Sequence, residues 1–131
     1  MANEASIRTR THHPVNFTNT TDANGIEKGA FLVLGDARKV SGAADDSTGL
    51  ACAGICAREK IASDGRTEVA TFTRGRFDVV ASGAIHLGGE IQLADSNKVM
   101  LASAVASGAQ IIGTALETAA DEETFQMELK L

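Results

Sequence analysis

The chain repeats itself. From residues 26–72 to residues 85–131, at a constant step of 59, Ile26 meets Ile85, Gly29 meets Gly88, Leu34 meets Leu93 and Asp36 meets Asp95. Lys39-Val40 meets Lys98-Val99, Ala43 meets Ala102, Gly49 meets Gly108 and Gly54 meets Gly113, nine identities without a gap. Agreement among small residues comes easily in a chain with 22 Ala and 13 Gly, but the ordered frame Ile-x-x-Gly…Leu-x-Asp-x-x-Lys-Val does not. Two copies of so long a period predict a doubled supersecondary unit rather than a solenoid, which stacks at least three.

With 131 residues the chain is long enough for one domain with a core of its own. That core is thin, because only 33 residues are Val, Ile, Leu, Met or Phe. Each contributes roughly 1.5–3 kcal/mol when fully buried, against about 1–2 kcal/mol of backbone entropy for every ordered residue. Association with further copies would add buried surface. Trp and Tyr are absent, which removes two side chains that commonly anchor sugar- and base-stacking surfaces.

The balance of 12 basic against 17 acidic residues, net −5, argues against nucleic acid as a partner, since such binding rests on phosphate neutralisation. Five acids, Glu117, Asp121, Glu122, Glu123 and Glu128, crowd the last fifteen residues and read as a solvated face. Arg58, Lys60, Arg66, Arg74 and Arg76 alternate with Glu59, Asp64 and Glu68 as a mixed-charge surface. The opening, MANEASIRTRTHHP, lacks the apolar stretch of a secretory leader, which predicts assembly in a cytoplasm. The eighteen uncharged residues between Lys98 and Glu117 have the length of a membrane span, but Ser, Gly, Gln and Thr dilute them. No membrane partner is expected.

Residues 1–25 have few large apolar side chains and no periodicity, and His12-His13-Pro14 followed by Val15-Asn16-Phe17-Thr18 suits an extended N-terminal arm. The body, 26–131, alternates short apolar runs with Gly- and Asp-containing turns. Strands are predicted over 30–34, 50–57, 68–73, 74–80, 90–93, 98–101, 110–116 and 124–129, with a bulge near Gly75 and a short helix over 102–109. Such punctuation predicts a mainly β protein, a compact small barrel or sandwich built from two related halves with at most one or two short helices. Cys52 and Cys56 on one strand would stand roughly 13 Å apart, beyond disulfide reach, and read as small buried hydrophobes.

Catalytic signatures are missing. His12 and His13 fall in the arm, and His86 lies alone in a turn. No Gly-x-Ser-x-Gly elbow occurs, and none of the five lysines follows a glycine, so a phosphate-binding Gly-Lys-Ser/Thr loop is lacking. Asp45-Asp46 and Glu122-Glu123 would diverge on a strand and make poor dyads. No catalytic residue, cofactor or metal ligand is expected.

Gly29 to Leu34, the segment Val69-Ala-Thr-Phe-Thr-Arg-Gly75-Arg-Phe77-Asp-Val, then Ala84-Ile85-His-Leu-Gly88 and Ile112-Gly113-Thr-Ala-Leu116-Glu-Thr-Ala119 with an alternating terminal strand form a pattern. It resembles the capsid cement, or decoration, proteins of tailed phages. More narrowly, it is similar to a family long catalogued as of unknown function, some of whose members were labelled recombinase-like. The missing Gly-Lys-Ser/Thr loop speaks against that label. The resemblance covers roughly residues 25–131 and rests on glycines and apolar positions.

The resemblance implies a non-enzymatic, β-tulip-like body, usually a homotrimer, seated outside an expanded phage head where major capsid protein subunits meet. It also implies that an N-terminal arm reaches capsid or neighbouring subunits, which here points to Arg8, Arg10, His12, His13, Pro14, Val15 and Phe17. Deleting residues 2–20 is then expected to leave a folded body that no longer decorates heads. The rival readings are an adhesin-like β-barrel module of a tail or phage surface, and an enzyme built around His86 or the cysteines.

Overall fold

The computed structural model describes residues 3–9, 14–19, 24–36, 39–42, 48–102 and 110–131. These contain eleven strands and no α-helix: β1 Ser6–Thr9, β2 Val15–Asn19, β3 Phe31–Leu34, β4 Lys39–Gly42, β5 Cys52–Cys56, β6 Glu68–Phe72, β7 Arg74–Val80, β8 Glu90–Leu93, β9 Val99–Leu101, β10 Gly113–Ala115 and β11 Thr124–Lys130. Short β-branched and apolar runs between glycine-rich turns favour this outcome over helix. The helix expected over 102–109 falls almost wholly outside the described residues, as do Asp45 and Asp46.

The first half closes into a barrel in the order β2-β4-β3-β5-β6, with β2 parallel to β4 and antiparallel to β6. The second sheet runs β1-β7-β11-β10-β8-β9. Just past β7, Ala81 bridges to Val99 in parallel and the Ser82 N–H donates to the Val99 carbonyl at 2.7 Å. The end of β7 thereby returns to β9, and the second sheet curls as the first does.

The pairs themselves recur. Leu32↔Gly42, Val33↔Ser41 and Leu34↔Val40 become Ile91↔Leu101, Gln92↔Met100 and Leu93↔Val99. The Ile26–Lys60 bridge becomes Ile85–Ala119, and the bond from Gly29 N–H to Cys56 carbonyl becomes Gly88 N–H to Ala115 carbonyl, each 2.9 Å. All of these keep the step of 59. Outside 26–60 and 85–119 the step changes. Ile55↔Phe72 and Cys56↔Thr71 correspond to Thr114↔Glu128 and Ala115↔Met127, so β6 and β11 are 56 apart. Val15↔Thr71 through Thr18↔Glu68 correspond to Phe77↔Met127 through Val80↔Thr124, so β2 and β7 are 62 apart. The physical reason is loop length: the connections 20–30 and 57–67 are each three residues longer than 82–89 and 116–123. The matching units therefore begin at β2 and β7, not at Ile26 and Ile85.

The extended N-terminal segment is woven into both sheets. β1 pairs antiparallel with β7, Ala5 is buried, and its N–H donates to the Gly29 carbonyl at 3.0 Å. β2 is a stave of the closed barrel. No bulge interrupts β7–β11 at Gly75, because that ladder stays in register from Arg74↔Lys130 to Val80↔Thr124. Register instead shifts in the β1–β7 pair and between Leu32 and Val33 in the β3–β5 pair.

Two apolar clusters share β3 and β5. Phe31, Cys52 and Ile55 face the larger one, with Phe77, Ile91, Phe125 and Met127 of the second half. Leu32, Ala53 and Cys56 face the smaller, with Ile26, Val40 and Val69. β5 lies between the two clusters and is buried along its whole length, and the register shift opposite Leu32 and Val33 breaks strict alternation, so that Cys52 and Ile55 face one cluster and Ala53 and Cys56 the other. Gly54 and Gly113 are equivalent in the repeat. A Cβ at either would run into a facing carbonyl oxygen, that of Phe72 or of Glu128.

Candidate docking surface

At one end of the first half, Ile26 and Lys60 exchange backbone hydrogen bonds of 2.8 Å in both directions. The Lys60 stem is buried, and its ammonium donates to Asp64 Oδ1 at 2.8 Å and to the Ile61 carbonyl at 2.6 Å. The Lys60 hydrogen bond, helped by one from the Arg66 N–H, holds the Asp64 carboxyl below its ordinary value. The turn is thus internally tied while Arg58 and Arg66 stay exposed. Both line a cleft of about 510 Å³ with Asn16, Glu59, Thr67 and Glu68.

The equivalent end of the second half is acidic. Asp121 Oδ1 accepts from the Gly83 N–H at 2.7 Å, Lys98 donates to both carboxylate oxygens of Glu122 at 2.6 and 2.8 Å, and Glu123 accepts from the Ala120 N–H at 2.8 Å. Glu117 is exposed at the position matching Arg58. The basic and acidic groups, read from sequence as a mixed-charge surface and a solvated face, thus stand in part on corresponding loops. The charges were visible in sequence. The step of 59 already carries Arg58 onto Glu117, and the matching Ile26–Lys60 and Ile85–Ala119 bridges show that the register holds there.

The proposed arm contacts that fall within the described residues are divided between β1 and β2 with its leading residue. Arg8 lies on β1, exposed, with its guanidinium 3.6 Å from Asp78. Val15 is exposed on β2, and Phe17 is half-buried against the smaller cluster. Pro14 is half-buried just before β2, whereas Arg10, His12 and His13 lie outside the described residues.

The cysteines are free thiols on β5. Burial pushes Cys52 up to about 11, outweighing its hydrogen bond to the Gly54 carbonyl. Burial also pushes Cys56 up to about 11, although its thiol donates to the Arg58 carbonyl at 2.9 Å. Such thiols are poor nucleophiles at neutral pH. His86 is exposed with its Nδ1 3.4 Å from the Leu87 carbonyl. Among the described residues no three His, Cys, Asp or Glu side chains are grouped to hold a metal ion, and no helix is long and apolar enough to cross a membrane.

The fold has a solved counterpart. The crystal structure of the head fiber gp8.5 N base in bacteriophage phi29 superposes with a TM-score of 0.56 at 13% identity, covering 89% of this chain and 92% of that one. No curated protein matches the chain in sequence. The phage cement protein family model matches residues 9–131. Its pattern therefore runs from the end of β1 across both halves, and the chain belongs to the phage cement protein family, a family of structural proteins of the phage head.

Proposed function

We propose that this protein decorates the exterior of an expanded phage capsid and stabilises it by bridging neighbouring major capsid protein subunits as a homotrimer. The family match over residues 9–131, which spans both sheets, carries this reading. The thin core suits it, because association buries surface that a single chain leaves exposed. A ligand that binds only the expanded lattice stabilises that lattice by mass action, and many copies on one shell add avidity, so each contact can be modest. No chemical step is needed.

The test is to mix the purified chain with expanded and unexpanded empty heads and separate bound from free by sedimentation. Saturable binding to expanded heads, with a raised temperature of head disruption, is expected. Equal binding to both forms, or none to either, would overturn the proposal.

A further inference from the structure

The two halves carry opposite charge at one structural position. Arg58 in the connection 57–67 stands where Glu117 stands in the connection 116–123, next to the matching Ile26–Lys60 and Ile85–Ala119 bridges. The guanidinium groups of Arg58 and Arg66 make no hydrogen bond or ion pair within the described residues, and they flank the open cleft. In the other half Asp121 accepts from the Gly83 N–H, Glu122 from Lys98 and Glu123 from the Ala120 N–H, and the Glu117 carboxylate makes no such bond among the described residues.

Each end also exposes one large apolar side chain. Ile61 follows Lys60 and is 61% exposed; Leu87 lies across from Glu117, between the Ile85–Ala119 and Gly88–Ala115 bonds, and is 66% exposed. They are the two most exposed large apolar side chains among the described residues. A single exposed apolar residue is unremarkable. Here Ile61 lies on a loop with three basic residues, Arg58, Lys60 and Arg66, against two acidic ones, Glu59 and Asp64, whereas Leu87 faces a loop with four acidic residues and no basic one, so the two ends differ in the sign of their net charge.

We infer that the acidic turn of one copy, with Glu117 and Leu87, seats against Arg58, Arg66 and Ile61 of the next copy. The contact is heterologous, joining two different patches head to tail, and closes into a ring where the rotation between copies allows. Opposite charges set the register and the encounter rate, while the two apolar residues lose water at the centre. The inference rests on the self-association proposed above and gives it a surface.

Sedimentation velocity on the full chain across concentration and salt tests it. Association is expected at low salt and weakens as salt rises. Arg58→Glu with Arg66→Glu should weaken it about tenfold or more, Glu117→Arg should do the same, and the three together should restore it. All variants should keep the wild-type circular dichroism spectrum and thermal midpoint, since these side chains are exposed. Recovery in the triple variant would not arise from misfolding or from an interface elsewhere. A wild-type chain that stays monomeric at every concentration, or reversal variants that associate like wild type, would overturn the inference. Head binding separates the two readings. A monomer that still decorates heads sinks the self-contact alone, whereas charge-paired association without head binding upholds the contact and sinks decoration.

Discussion

The side-chain carbonyl of Asn97 accepts a 2.7 Å hydrogen bond from the backbone N–H of Phe31, 66 residues earlier in the chain. The same side chain donates to the carbonyls of Asn3, at 3.0 Å, and Gly29, at 3.2 Å. One buried amide thus joins the N-terminal segment, the first half and the β8–β9 turn. Asn tolerates the left-handed backbone found there, φ 59°.

Asn97→Ala should therefore cost roughly 2–3 kcal/mol, because it strands the buried Phe31 N–H and cuts the tie to Asn3, although the Gly29 carbonyl keeps the Ala5 N–H. Urea unfolding followed by circular dichroism measures this. A loss below about 0.5 kcal/mol, the range of ordinary surface changes, would show that the amide is not a structural tie.

Gly54→Ala and Gly113→Ala should be among the most damaging single changes in the chain. Both press a methyl group into a carbonyl oxygen of the neighbouring strand, and Gly54 also has φ +141°. A cost of about 3 kcal/mol or more is expected for each, larger for Gly54. Gly83→Ala is the comparison: its Cβ would meet open space, so only its positive φ opposes the change, at about 1–2 kcal/mol. Equal losses at all three positions would remove close strand approach as the cause.

The cysteines should resist labelling in the folded protein at pH 8 and react fully once unfolded. Their thiols are raised from 9.0 to about 11 by burial. The folded state therefore holds its protons more tightly than the unfolded state. Stability should be unaffected by these groups below pH 9 and should fall as pH rises from 9 towards 11. Cys52→Ser would leave a hydroxyl in an apolar layer, so Cys52→Ala is the cleaner variant for testing whether the alkaline loss shrinks. Rapid labelling of the native protein would contradict the burial argument.

Truncation should separate the two N-terminal strands. Removing residues 2–13 takes away β1 with Ala5 and Ile7, and a stability loss of roughly 2 kcal/mol or more is expected in a chain that still unfolds cooperatively. Removing residues 2–20 also deletes β2, which opens the barrel and exposes the edges of β4 and β6. Aggregation or loss of cooperative unfolding is the expected result, contrary to the folded body that an independent arm would leave behind. A cooperative, soluble 2–20 deletion would restore the idea of a free arm.

Much of the local structure was legible. Val69 to Phe72 and Phe125 to Leu129 alternate as strands do, and both are strands. Gly29 and Gly88, which match in the repeat, both have positive φ in matching turns. The cysteine spacing excluded a local disulfide, and the thiols are free. The polar run around Val15 and Phe17, by contrast, looked like an arm because two apolar side chains among threonines and asparagines say nothing about what lies beside them.

The β class, most strand positions, the doubled frame and the family could be read from the residues alone, because these rest on period-two alternation, turn chemistry and glycine placement within a few residues. The folded chain was needed to see that Thr18 and Asn19 run parallel to Lys39 and Val40 and close the first barrel, and that β7 is the counterpart of β2. It alone brought Asn97 to Phe31 and tied Asp121, Glu122 and Glu123 to their partners while leaving Glu117 exposed. Strand partnership is non-local: hydrogen bonds between distant segments depend on loop lengths and on which faces two clusters can bury together, and neither is written in the residues that pair.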